Sequence, residues 1–220
     1  VAPTFGVQNL LGTNPLVFGM PSDEEFPFVN DHATSMCQRG KIEQYAREGK
    51  ELVSGWVVDR NGEPVLEAQK ALEALNAGHA ALTPLGGITE ETGSHKGYGF
   101  STVVEILSTA LQQGQFLNQL SGMDAGGKRI PIRLGHFFIA VDIKAFTDVD
   151  AFKATTGDIL RTLRTSQKAK HADRIYTHGE KEYVHSTERI QSGVPLPPLV
   201  QQQMVTMRNE LGLVCKFEWE

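Results

Sequence analysis

The sequence predicts a mixed α/β fold, a non-Rossmann mixed sheet with flanking helices. Short apolar runs bounded by Gly, Pro and Asn recur through the first sixty residues, as strands and tight turns do. Longer segments with helical apolar spacing alternate with them, which argues for α/β rather than all-α or all-β. No Gly-x-Gly-x-x-Gly follows a strand, since Gly97-Tyr98-Gly99 lacks the third glycine, and no Gly-x-x-x-x-Gly-Lys-Ser/Thr occurs. An ordinary Rossmann domain or P-loop is therefore not expected. At 220 residues the chain makes one domain or one and a fraction, given about 150 residues per domain.

Taken in order, Leu16-Val17-Phe18-Gly19 and Phe26-Pro27-Phe28-Val29 are strand-like, and Pro15 pushes Asn14 out of helical geometry. Residues from about 34 to 48 carry helix formers and stop at Gly49. Trp56-Val57-Val58-Asp59 and Pro64-Val65 flank Asn61-Gly62, a hairpin signal in which both central residues take positive φ. Residues 67–95 predict a short helix and then a loop around Pro84-Leu85-Gly86-Gly87. Tyr98, Val103, Leu107 and Leu111 behind Lys96-Gly97 predict a largely buried helix. Phe137 to Ile143 has the look of a central strand, apolar on both faces. An amphipathic helix is expected over 148–168, a strand over 174–177 leading into a turn at His178-Gly179-Glu180, and two helices around Pro195-Leu196-Pro197-Pro198. Phe5, Phe26, Phe28, Phe137 and Phe138 are expected in the core.

Composition removes several function classes. Apolar residues at 40% and charged residues at 21% exclude wholesale disorder. The longest apolar stretch, His136 to Val141, is too short to span a bilayer, so no membrane partner is expected. A net charge of −5 without an obvious basic stripe argues against a nucleic-acid partner. Cys37 and Cys215 lie far apart with no Cys-x-x-Cys, which fits a reducing, cytoplasmic compartment. No histidine has metal-ligand spacing, and no Gly-x-Ser-x-Gly elbow is present, so no metal site is assigned. The chain opens Val1-Ala2-Pro3-Thr4-Phe5-Gly6, without initiator Met or signal peptide, as though cut from something longer.

Three short stretches carry polar chemistry. Ser94-His95-Lys96-Gly97-Tyr98-Gly99 sets a lysine among glycines at a helix start, which suits a phosphate or carboxylate; a solvated loop lysine is the plain alternative. Asp31-His32-Ala33-Thr34-Ser35 is either an N-cap cluster, with Asp31 or Thr34 satisfying helix N–H groups, or a carboxylate and small-residue backbone meeting a ribose or amide. His178-Gly179-Glu180 is a glycine-centred turn with an imidazole and an acceptor beside it, by default a surface turn.

These stretches fall in one order with others: Gly12-Thr13-Asn14-Pro15-Leu16, Gly40-Lys41-Ile42-Glu43, Gly55-Trp56-Val57-Val58-Asp59, Leu85-Gly86-Gly87, Val104-Glu105-Ile106-Leu107-Ser108, Gly135-His136-Phe137-Phe138-Ile139-Ala140 and His178-Gly179-Glu180-Lys181-Glu182. The chain resembles the type 2 malate/L-lactate dehydrogenase family, with its sulfolactate, ureidoglycolate and diketogulonate-reducing members, over nearly its whole length. The resemblance implies an NAD- or NADP-dependent oxidoreductase interconverting a small 2-hydroxy acid and 2-oxo acid, most simply malate and oxaloacetate, and working as a homodimer. It places cofactor contacts at Asp31, His32 and Ala33, at Lys96, and at His178, Gly179 and Glu180. It makes residues 1–145 the cofactor-binding part and 146–220 a helical part packed on it. His32 stands where the family usually has Met, and His178 where it often has Pro; both add a titratable group at a cofactor contact and bear on the choice between NAD and NADP. The family's proton-relay histidine and substrate-gripping residues precede the Gly-Thr-Asn-Pro segment, so this chain is expected to begin after them and no catalytic residue is assigned. A non-catalytic dinucleotide-binding or oligomerisation fragment is the alternative, and cyclic imino-acid reduction occurs in the same family.

Overall fold

The computed structural model describes residues 1–220 and bears out the α/β class, with two small sheets and flanking helices. Strands β1 (Leu16–Met20) and β2 (Phe28–His32) pair antiparallel, with Leu16 opposite His32 and Met20 opposite Phe28. Strands β3 (Val57–Asp59) and β4 (Ala80–Leu82) form a second antiparallel pair. The helices are α1 (Arg39–Glu48), α2 (Ala68–Asn76), α3 (Ser94–Thr109), α4 (Val149–Thr165), α5 (Glu180–Ser192) and α6 (Pro198–Glu210). The chain divides into two units, Val1–Ile159 and Leu160–Glu220, the division falling inside α4.

The core of the first unit is small and sits between the second sheet and the two helices that flank it. Ile42 of α1, Val57 of β3, Ala68 and Ala71 of α2 and Leu82 of β4 pack together, with Leu52 beside them. Helix α1 ends as expected at Gly49, whose φ of 63° only glycine adopts freely. It starts at Arg39 rather than near 34, because the chain before it is used as strand: Ser35 bridges Pro84, and Met36 N donates to Thr83 O at 3.0 Å. At the Asn61-Gly62 turn only Gly62 has positive φ, 87°. The Asp59 carboxylate replaces the expected geometry by accepting the N–H groups of Asn61 (2.8 Å) and Glu63 (3.0 Å).

Several expectations are overturned. Strand β4 occupies part of the stretch expected to be loop, because three residues are too few to show periodicity, yet all three are buried. Helix α3 is not largely buried. The face it turns inward is Ser94, Gly97, Ser101 and Thr109, while Tyr98, Phe100, Val103 and Ile106 are exposed. Residues 137–143 form no strand, since a strand needs a partner to take its N–H and C=O groups and none is supplied; Phe138 is 87% exposed. Residues 174–177 join no ladder either, because the Thr177 N–H is donated to the Glu180 carboxylate. Phe5, Phe137 and Phe138 are exposed and Phe26 and Phe28 half-buried, so none of the five is core. Asn14 leaves helical geometry, but into the left-handed region (φ 37°) rather than the extended one favoured before proline.

Candidate functional site

Within the first unit, Asp31, His32 and Ala33 lie where β2 ends. Asp31 is opposite Val17 and exposed; His32 and Ala33 are half-buried, and the His32 Nδ1 lies 3.0 Å from the Ala33 carbonyl oxygen. The cap reading of this stretch fails. Gln38 precedes α1 without any side-chain cap, and Thr34 is fully buried, donating its hydroxyl to Thr13 O (3.1 Å) and Asn14 O (2.9 Å). Thr34 also donates its N–H to Thr13 O at 2.8 Å, so the chain leaving Ala33 is pinned by neutral bonds to the Gly12-Thr13-Asn14 segment.

Asn14 extends that pinning to α3. Its amide donates to Ser101 O and to Glu105 Oε2, both at 2.9 Å, and the other Glu105 oxygen accepts the N–H of Leu117 at 2.8 Å. These bonds hold Asn14 in the left-handed geometry that asparagine tolerates better than most residues.

Lys96 lies in the first turn of α3, exposed and without an ion-pair partner. That turn has no side-chain cap and no acidic residue. Its position is set by glycine. The Leu85 N–H donates to Thr34 O at 2.9 Å, and a Cβ on Gly97 would collide with the Leu85 backbone. Gly86, at φ 94°, meets Gly93 and Ser94 just as closely. Leu85 is thus the shared neighbour of Thr34 and Gly97, and the structure brings the Asp31–Ala33 strand end and the Lys96 turn to one corner of the unit.

Alongside α3 runs an open apolar groove of about 510 Å³, lined by Leu10, Tyr98, Ile106, Phe116 and Leu117 among others. Glu105 is its acidic wall, though both carboxylate oxygens are occupied as described.

In the second unit, Gly179 takes φ 91° ahead of α5, and His178 is exposed. Glu180 is buried, only 1% exposed. One carboxylate oxygen is paired with Arg174. The other lies 3.7 Å from Arg164 and accepts the Thr177 N–H (2.9 Å) and hydroxyl (3.3 Å). Its carboxylate therefore fixes the turn from inside, with His178 exposed and Gly179 half-buried.

A profile of the malate/L-lactate dehydrogenase family matches residues 1–205. The chain belongs to this family. Malate dehydrogenase of Entamoeba histolytica superposes with a TM-score of 0.88 at 42% identity, covering 98% of this chain and 59% of that one. Malate dehydrogenase of Pyrococcus horikoshii is 34% identical over 213 residues, 97% of this chain and 56% of the relative. A delta(1)-pyrroline-2-carboxylate reductase of Agrobacterium fabrum is 44% identical over 108 residues, 49% of this chain and 28% of the relative. This family member spans somewhat more than half the length of the malate dehydrogenases it matches.

Four residues that hold these segments in place carried no assignment from the sequence: Asn14, Glu105, Arg164 and Arg174. The first had a local signal, an asparagine before proline in a glycine-led turn. The other three make contacts that run between separated segments or into a buried carboxylate, which no spacing rule anticipates.

Proposed function

We propose that this chain is the dinucleotide-binding portion of an NAD(P)-dependent oxidoreductase that interconverts a small 2-hydroxy acid and its 2-oxo acid, malate and oxaloacetate first. The observation that carries the reading is the corner at which Leu85, bonded to Thr34 just after β2 and packed on Gly97, links that strand end to an exposed, unpaired Lys96 in an uncapped helix turn. The residues fit a nicotinamide dinucleotide. The corner offers a cation and a helix N-terminus free of acidic residues, and Gly86 and Gly97 let the Leu85-Gly86 loop pack directly on the start of α3.

In this reading Lys96 holds a cofactor phosphate by a charge-assisted bond. The Asp31 carboxylate, exposed at the strand end, accepts from a ribose hydroxyl, while His32 and Ala33 present backbone polar groups to the amide. In the second unit the outward face of the 178–180 turn supplies further contacts, and Glu180 acts by holding that turn. The nicotinamide ring supplies hydride transfer once bound; the protein orients it and excludes water. The same proposal takes residues 1–145 as the cofactor-binding part, a homodimer as the assembly and the cytoplasm as the compartment. No helix is long and apolar enough to cross a membrane.

NADH- and NADPH-dependent reduction of oxaloacetate by the purified protein, read together with its intact mass, tests the reading. Binding of a nicotinamide dinucleotide with turnover supports it, and failure to bind either dinucleotide overturns it. Lys96→Ala is expected to weaken cofactor binding by about 1.5–3 kcal/mol, the range for a hydrogen bond to a charged group, with the thermal midpoint unmoved.

A further inference from the structure

Helix α3 buries one face and leaves the other apolar and bare. Beyond the 3₁₀ turn Ala110–Gln112 that continues it, it packs along no helix or strand of its unit. Its inward residues meet loop segments instead, through Thr4, Asn14 and Leu85. On the opposite side Gly99, Val103, Ile106 and Ala110 are all exposed. Their spacing of four, three and four residues is that of alternate core positions in a coiled coil, a straight seam about 16 Å long. Lys96 and Gln113, the next positions of the same spacing, are polar and exposed and close the seam at both ends.

Gly99 has no purpose within its own unit. A Cβ there would meet nothing within 4 Å, and glycine inside a helix destabilises it relative to alanine. Such a residue is explained by close approach of another backbone from outside. The seam also reads the same from either end, as small, branched, branched, small. A copy of the helix laid antiparallel sets small against small and branched against branched. The ends agree with that direction: α3 has no acidic residue in its first turn and no basic residue in its last, so each helix end is left to be offset by the opposite end of a neighbour's dipole. The groove described above shares Ile106 and Ala110 with the seam and adds the partly exposed rings of Tyr98 and Phe116, while Phe100 flanks the seam. Aromatic side chains bury on the order of 150–250 Å² each, and these three rings with the seam bring the face to the order of the 800 Å² per partner that a specific dimer needs.

We propose that α3 is the seam of a homodimer, packed antiparallel on the same helix of a second copy about a twofold axis. Val103 then meets Ile106 of the partner subunit, and Gly99 meets Ala110 of the partner subunit. The inference rests on the homodimer proposed above, to which it gives a surface, and is independent of the dinucleotide site.

Sedimentation velocity over a concentration series tests it, on wild type, Val103→Glu and Gly99→Arg. Both positions are exposed and arginine is the better helix former, so both variants are expected to keep at least the wild-type thermal midpoint at low concentration. Each is expected to raise the dimer dissociation constant by about tenfold or more. In a Cys215→Ser background, oxidising a mixture of Val103→Cys and Ile106→Cys is expected to yield a disulfide-linked pair that neither variant forms alone. A dimer that both Val103→Glu and Gly99→Arg leave unchanged would overturn the seam and leave the homodimer standing. Wild type that stays monomeric throughout would overturn both, whatever dinucleotide binding the same sample shows. Disulfide formation by Val103→Cys with itself in preference to the mixture would overturn the antiparallel pairing. A dimer weakened as expected that binds neither NADH nor NADPH would support the seam and count against the nicotinamide reading alone.

Discussion

The two units fix their candidate cofactor segments by different physics. In the first, Asp31–Ala33 and Lys96 are held by neutral groups: the β1–β2 ladder, the Thr34 hydroxyl, the Asn14 amide and the close packing of Gly97 on Leu85. In the second, the 178–180 turn is held by one buried carboxylate shared between two arginines and a threonine. Neutral bonds each contribute modestly and cost little to bury when satisfied, so the first arrangement is spread over many residues. A buried ionic arrangement concentrates its energy in one group, because an arginine deprived of its carboxylate in a buried place is costly. The contrast predicts that single substitutions do more harm in the second unit than in the first.

Glu180→Gln is the sharpest way to break that contrast. The amide keeps the shape and the bond from Thr177 but deprives Arg164 and Arg174 of their counter-charge, so we expect a loss of about 3 kcal/mol, the low end for a broken buried pair because Arg174 stays half in water. Urea denaturation measures it, and a loss under about 1 kcal/mol would mean the hub is not ionic in effect. Next in size is Gly97→Ala. Its Cβ meets Leu85 backbone rather than a movable side-chain end, so a loss of about 2–3 kcal/mol is expected, the upper part of the range for overpacking. Wild-type stability in this variant would show that α3 can retreat from the Leu85-Gly86 loop.

Thr34→Val removes one buried hydroxyl and is expected to cost about 1–2 kcal/mol, with Thr13 O still served by the Thr34 N–H. A loss matching Glu180→Gln would erase the difference between the units. The smallest effect concerns Cys37, whose thiol is pushed up to about 12 by burial from an ordinary value near 9. An acid with a raised folded value contributes stability that is complete below the unfolded value and declines as pH rises through the window up to the folded one. Between pH 9 and 10 this amounts to about 1.4 kcal/mol lost per pH unit at most. Cys37→Ala should flatten that part of the stability–pH curve, and below pH 8 only the exposed Cys215 should react with a thiol reagent in the native protein.

Much of the fold could be seen in the sequence where the signal is local. Gly49 ends α1, the Asn61-Gly62 pair marks a turn, and α4 follows its amphipathic spacing. Longer-range information was not there to be seen. Residues 137–143 have strand composition without a partner, and the inward face of α3 is made of glycine, serine and threonine, which hydrophobic periodicity cannot detect. The candidate site divides the same way. Glycine-flanked Lys96 announced itself, whereas the part Asn14 and Glu105 play in locking α3 to the end of β2 depends on contacts between residues about ninety positions apart, and the role of Glu180 as a buried hub depends on arginines that spacing alone would have left on the surface.

The central claim, that the corner formed by the end of β2 and the first turn of α3 binds a nicotinamide dinucleotide, is tested most directly by titrating the purified protein and its Lys96→Ala variant with NADH and NADPH. The account predicts saturable binding to wild type and a loss in the variant of about 1.5–3 kcal/mol for whichever dinucleotide binds, at unchanged thermal stability. A dissociation constant identical in wild type and Lys96→Ala would remove Lys96 from the site and contradict the account.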